Sequence, residues 1–248
     1  MKVSIITVTH NSAATIANCI ASVYNQTHPE IEHIIIDGAS TDDTVEIIKS
    51  LPNRVTKIIS EPDSGIYDAI NKGIRLAIGD VIGILSSNDQ FFNLQSIETI
   101  VHGFENPEID ATYGNLILHN KHGKTIRVWK SMPYKPGLFA HSWTPAHPTF
   151  YCKREIYERH GLYRTDYRIA ADVELMLRFI AIHKIKTNFI NENLVKMLAG
   201  GTSTQGIKST LIIIKEMKRA FKENNWKFNI VKYLIFKALK IREFIFKS

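Results

Sequence analysis

Four short apolar runs rich in β-branched residues alternate with segments of helical spacing in the N-terminal part of the chain, and this rhythm restricts the possible folds more than any other feature. Val3 to Val8 passes through polar Thr9, His10 and Asn11 into Ala13 to Asn25, where Ile16, Ile20 and Val23 share one helical face. His33 to Ile36 ends at Asp37 and Gly38, and Ser40 to Asp43 reads as an N-cap before a helix over Thr44 to Ser50. Val55 to Ile59, a helix over Tyr67 to Ala77, and Asp80 to Leu85 complete the series. Strands joined by helices pair in parallel through right-handed crossovers, so the expectation is an α/β domain with a mostly parallel sheet. Ligands of such sheets lie beyond the carboxyl ends of the strands. Here each of those ends is polar: Thr9 to Asn11, Asp37 to Asp42, Glu61 to Asp63, and Ser86 to Asp89.

Beyond residue 110 the pattern is less regular. Strands are expected around Ala111 to Tyr113 and Thr125 to Trp129, a loop over residues 136 to 152, and helices from about Lys153 and over Ala171 to His183. The glycine and hydroxyl segment Leu198 to Gln205 precedes a basic tail. From Ile207 to Ser248 the chain has eleven Lys or Arg against three Glu, whereas the remainder balances at 20 basic and 21 acidic residues. The expected division is therefore a domain over 1–205 and an appendage of basic amphipathic helices over 206–248.

A chain of 248 residues, 44% of them hydrophobic, can bury the core of one large domain. Its two cysteines, Cys19 and Cys152, make neither a disulfide framework nor a set of thiols with zinc-ligand spacing. No apolar stretch approaches the ~18 residues of a membrane span. The first run is too short for a signal sequence and has no small-residue cleavage site, so a cytoplasmic location is expected.

The segment SEPDSGIYDAINKGIRLAIGDVIGILSSNDQFF, residues 60 to 92, gathers Asp63, Asp68, Asn71, Lys72 and Asp89 around two apolar runs. With the N-terminal VSIITVTHN it resembles the inverting glycosyltransferases of family 2, which have a GT-A fold with a Rossmann-like sheet. The similarity covers about residues 2 to 204. Its most specific part, DSGIYDAINKG, is similar to a bacterial subgroup that builds surface polysaccharides. The resemblance implies a UDP-sugar donor whose uridine is held by Thr7, Thr9, Asn11 and Asp37, a carboxylate suiting the uracil N3–H donor. It adds Asp63, Asp68, Asn71 and Lys72. The last three fall at i, i+3 and i+4, hence on one helical face, with Lys72 near phosphate and Asp68 and Asn71 near ribose or base.

The loop Ser86 to Asp89 stands where the family has its acidic metal motif, but Asn88 replaces one of the usual aspartates. Mg²⁺ or Mn²⁺ on a diphosphate needs only one or two protein oxygens, and Asn88 and Asp89 are the candidates. In the family the base is an aspartate opening a helix, and YRIAADVELMLRF puts Asp172 there. His147, in AHPTFYCKREIYERHGLY, is expected on the acceptor or phosphate side. Gly201 and Thr202 would help offset charge as UDP leaves.

Each residue also has an ordinary reading. Asp37 could be a turn aspartate, Asp68 and Lys72 a solvated ion pair, Asp172 a partner of the helix dipole, and His147 structural. The favoured whole is transfer of a hexose, glucose or galactose first and N-acetylhexosamine second, to a polyprenyl-diphosphate-linked saccharide in O-antigen or capsule synthesis. The tail would rest on the anionic inner face of the cell membrane. Nucleic acid is not an expected partner, and the oligomeric state is left open. The rival functions are a sugar-phosphate nucleotidyltransferase, which would want a glycine-rich basic loop after the first strand, and a catalytically silent nucleotide-sugar-binding subunit, for which Asn88 speaks.

Overall fold

The N-terminal runs form β1 (Val3–Thr9), β2 (Ile31–Asp37), β3 (Val55–Ser60) and β4 (Val81–Ile84), separated by α1 (Ile16–Tyr24), α2 (Thr44–Ser50) and α3 (Ile66–Leu76) in a computed structural model that describes residues 1–200 and 207–226 together with positions 231, 233 and 235. Gly201 and Thr202 lie outside the described residues. The expected order of strands and helices holds over this part. β1 pairs in parallel with β2 and with β4, and β2 in parallel with β3. The order β3-β2-β1-β4 therefore reverses its winding between β1 and β4, which opens a crevice at the carboxyl ends of the strands.

The sheet then continues through antiparallel neighbours. β8 (Tyr151–Lys153) joins β4 to β6 (Ala111–His119), and β9 (Thr187–Leu198) lies parallel to β6 and antiparallel to β5 (Asp89–Phe91). β7 (Thr125–Trp129) pairs with β6 as a hairpin. β8 falls inside the stretch expected to be loop. Three residues carry too little periodicity to be seen in sequence, and Tyr151 is fixed by packing against Gly83 of β4, where no side chain could stand. β9 also escapes a strand pattern because its pairing with β6 shifts register twice, between Tyr113 and Leu116, which breaks the two-residue alternation.

The sheet divides the core in two. Ile6, Val8, Ile34 and Ile36 face α3, α5 (Arg154–His160), α6 (Ala171–Met176) and α7 (Ile207–Glu223). Val3, Ile5 and Ile35 face α1, α2 and α4 (Ser96–His102). α7 belongs to the first layer, with Met217, Ala220 and Phe221 buried in it, so this face of the helix packs on the body of the protein.

Candidate active site

Loops from adjacent strands lock together at the carboxyl edge. Asn11 takes a positive φ of 49°, and its Oδ1 accepts from the Thr41 amide at 2.8 Å while its own amide donates to Ser40 Oγ at 2.8 Å. His10 Nδ1 donates to the Gly38 carbonyl at 2.9 Å, and Ser12 bonds Ser87 of the β4 loop at 2.8 Å. Thr9, at the end of β1, has a buried hydroxyl without a partner. The crevice wall is thus built before any ligand arrives.

Gly38 sits directly against Asp63. A Cβ there would stand 2.6 Å from Asp63 Oδ2, so only glycine leaves room for this carboxylate. Asp63 Oδ1 accepts from the Gly65 amide at 2.8 Å, and Asp68 accepts from the Ser64 amide at 3.1 Å, which shapes the turn into α3. That turn, Ser64 to Asp68, faces Thr165 to Arg168 across a cavity of about 250 Å³. The segment just before Asp172 is thereby brought against the turn that opens α3.

Asp172 opens α6, and its side chain is 20% exposed. Its Oδ2 lies 3.3 Å from His147 Nδ1, and its Oδ1 is buried without a partner. Burial raises the Asp172 pKa above the ordinary carboxylate range, and the facing His147 opposes that rise. His147 sits on a one-turn 3-10 helix, His147–Thr149, that packs on β4. Tyr67 of α3 donates its hydroxyl to the Ile169 carbonyl, tying the approach to Asp172 to α3. Sequence reading assigned no role to Tyr67, although it lies within DSGIYDAINKG.

Several expected contacts go elsewhere. Thr7 shares the sheet face of Val3 and Ile5, because side chains alternate along a strand. Its hydroxyl is fully buried, 2.9 Å from His33 Nε2, and does not reach the crevice. Asp37 is also wholly buried. Its oxygens accept from the Ser40 amide at 3.0 Å, Ser40 Oγ at 2.5 Å and Ser60 Oγ at 2.6 Å, a set that fixes the β2 loop and leaves Asp63 as the neighbouring acid with exposure. Asn71 turns away from Asp68 and Lys72. It is 3% exposed, donates to the Tyr163 carbonyl at 2.8 Å and accepts from the Tyr163 amide at 3.0 Å. Residues i+3 and i+4 are about 100° apart around a helix, which suffices to send Asn71 inward and Lys72 outward. Lys72 itself bonds Glu61 at 2.8 Å and the Pro62 carbonyl at 2.9 Å.

The β4 loop settles which of its two polar residues faces out. Asn88 is partly exposed, whereas Asp89 is 2% exposed with Oδ1 unpartnered, and burial pushes its pKa up to about 8. The outward group is a neutral amide and the acid is held inside near Cys19. No cluster of three or more His, Cys, Asp or Glu that could hold a metal ion occurs among the described residues. An ion held mainly by a diphosphate needs only one or two protein oxygens, and the Asn88 amide and the unpartnered Asp89 Oδ1 are the ones this loop would offer.

Comparison with known proteins agrees with this architecture. Residues 4–166 match the family model described as glycosyl transferase family 2. A PGL/p-HBAD biosynthesis glycosyltransferase of Mycobacterium bovis is 26% identical over 220 residues, spanning 87% of this chain and 82% of the relative. An uncharacterized glycosyltransferase of Mycobacterium tuberculosis is 31% identical over 178 residues, 71% of this chain and 68% of its own. The solved Staphylococcus aureus TarS 1-349 in complex with UDP-GlcNAc superposes with a TM-score of 0.67 at 15% identity, covering 89% of this chain and 66% of that one. A mannosyltransferase of Pyrobaculum calidifontis, solved with GDP-Man and Mn²⁺, gives a TM-score of 0.66 at 19% identity, covering 96% and 68%. With its sheet order, its strand-end crevice and a family match over most of its length, this chain belongs to glycosyl transferase family 2.

Proposed function

We propose that this family member transfers a hexose from a UDP-sugar to a hydroxyl of a polyprenyl-diphosphate-linked saccharide, with Asp172 as the base and with inversion at the anomeric carbon. Glucose or galactose is the favoured sugar, and surface polysaccharide synthesis is the setting. The observation that carries this reading is the Asp172 carboxylate, partly exposed, paired with His147 and carrying an unpartnered second oxygen. A carboxylate within hydrogen-bond reach of an acceptor hydroxyl can take its proton as the new bond forms, and a raised pKa brings it closer to working pH. Attack from the face opposite UDP inverts the anomeric centre. His147 would hold the carboxylate in line and meet the acceptor or its phosphate.

On the donor side, Asp63 beside Gly38 offers an acceptor for the uracil N3–H, and Thr9 and Asn11 border the same crevice. Asp68 and Lys72 edge it near the ribose and phosphates. No step is assigned to a metal. α7 turns Leu211, Lys215, Lys218 and Lys222 to solvent, and each lysine near an anionic bilayer contributes about 1 kcal/mol, so peripheral membrane contact fits the chemistry of a lipid-linked acceptor. Among the described residues no helix is long and apolar enough to cross a membrane.

The test is to screen UDP-glucose, UDP-galactose and UDP-N-acetylglucosamine against polyprenyl-diphosphate sugars, reading UDP release and product linkage, with Asp172→Asn alongside the native enzyme. Transfer by the native protein and none by the variant, at equal UDP affinity, is expected. Substantial turnover by Asp172→Asn would remove the base, and absence of any transfer would favour a silent binding subunit. Sedimentation with anionic vesicles, lost when Lys215, Lys218 and Lys222 become Glu, checks the membrane contact; retained sedimentation would reject this lysine face.

A further inference from the structure

α6 begins without a cap of its own. Ala170 precedes it and has no side-chain oxygen to accept the amides that a helix start leaves open. What is held from 46 positions further along is the chain that leads into the helix: Glu216 Oε2 accepts from Ala170 N at 2.9 Å and from Ile169 N at 3.0 Å, and Glu216 Oε1 accepts from Arg168 N at 2.6 Å. Three backbone donors on one carboxylate form a charge-assisted set, stronger than neutral hydrogen bonds. Glu216 stands between exposed Lys215 and buried Met217, and its carboxylate turns toward the body.

The same face of α7 holds the preceding loop. Arg219 pairs with Asp166 and bonds Glu223 at 2.8 Å, and Arg164 reaches Glu223 at 2.6 Å and Asp166 at 2.7 Å. Tyr167 donates to Glu223 at 2.8 Å, with the Arg164 and Arg219 guanidiniums 5.2 Å and 4.5 Å from its ring. Residues 216, 219 and 223 follow i, i+3, i+7 spacing, one stripe of a helix. This stripe fastens 164–170, the chain that lines the cavity and delivers Asp172.

We infer that Glu216 is a positioning residue of the transfer reaction, its carboxylate fixing the Arg168–Ala170 backbone that leads to Asp172. The inference rests on the reading of Asp172 as the base. It makes the tail helix a part of the catalytic unit, since a shift of the Ala170 amides would move the carboxylate two residues on. Misplacing a reacting group by an ångström costs up to about 100-fold in rate. Asp172 is faced by His147 from the 3-10 turn, by Tyr67 from α3, by Tyr163 from the loop before α6, and by Glu216 from α7. Of these, the Glu216 charge acts to raise the Asp172 pKa, so removing it lowers that pKa.

The experiment compares Glu216→Gln, which keeps one accepting oxygen without the charge, with Glu216→Ala in the full chain. It reads UDP release from the three UDP-sugars above, the carboxyl carbon NMR titration of Asp172, and amide exchange at Ile169 and Ala170. At least a 10-fold loss of kcat in Glu216→Ala at unchanged donor KM, partial recovery in Glu216→Gln, faster exchange at both amides and a lower Asp172 pKa in both variants are expected. Native kcat with an unmoved Asp172 titration in Glu216→Gln would overturn the inference, even if Glu216→Ala fails to fold. Turnover by Asp172→Asn would instead strike the base assignment, leaving the amide exchange as a separate reading of the clamp.

Discussion

His147 Nδ1 and Asp172 Oδ2 stand 3.3 Å apart, although 25 positions separate them in the chain and they enter the site on different elements. Burial raises the Asp172 pKa and His147 restrains the rise. The base works when ionised, so activity is expected to fall as pH drops through this raised pKa. His147→Ala removes the opposing charge, moves the pKa further up, and so shifts the acid limb of kcat/KM to higher pH. A pH–rate profile of both proteins checks this, and an acid limb that stays in place would detach His147 from Asp172.

Asn71 and Tyr163 make the second junction, a reciprocal pair of hydrogen bonds between α3 and the chain leading to α6. Asn71→Ala leaves a buried amide and a buried carbonyl of Tyr163 without partners. The expected loss is about 2–4 kcal/mol of unfolding free energy, read by urea denaturation. UDP affinity measured under native conditions should stay close to that of the unmodified protein, because Asn71 does not face the crevice.

Gly38→Ala would push a methyl group to 2.6 Å from Asp63 Oδ2. The carboxylate must then move from its place. Weaker UDP binding by about tenfold, roughly the 1.4 kcal/mol of one hydrogen bond, is expected by calorimetry, with a melting temperature near that of the native protein. Unchanged affinity would separate Asp63 from the base-binding site.

The β4 loop gives a paired prediction. Asn88→Asp puts a charge where the outward amide stands and should create Mn²⁺-dependent UDP binding stronger than that of the native chain, measured with and without EDTA. Asp89→Asn tests the buried acid. Its folded pKa of about 8 lies above the unfolded carboxylate value, so the native protein loses stability as pH rises between the two, while the unfolded chain ionises and the folded one does not. The Asn variant lacks this slope, and its denaturation midpoint should vary less between pH 5 and about 8.

The regular half of the fold was legible because periodicity is local: runs such as Val3 to Val8 and the spacing of Ile16, Ile20 and Val23 report strand and helix without knowledge of neighbours. The polar strand ends and Asp172 at a helix start followed from the same local cues. What could not be read was direction. Thr7 and Asp37 stand at the expected places along their strands, yet burial and bonds to His33, Ser40 and Ser60 consume their polar atoms. Asn71 belongs to a motif string but serves Tyr163 from 92 positions away.

Glu216 shows the limit most clearly, because among eleven basic residues each of the three glutamates reads as surface charge until the helix docks. By itself the sequence determined which segments of the N-terminal half become strands and helices and which residue types collect at their ends. The tertiary structure alone decided which of those polar atoms stay free, since a hydrogen-bond partner is chosen by distance in space, and strands and helices far apart in the chain meet only when the sheet closes around them.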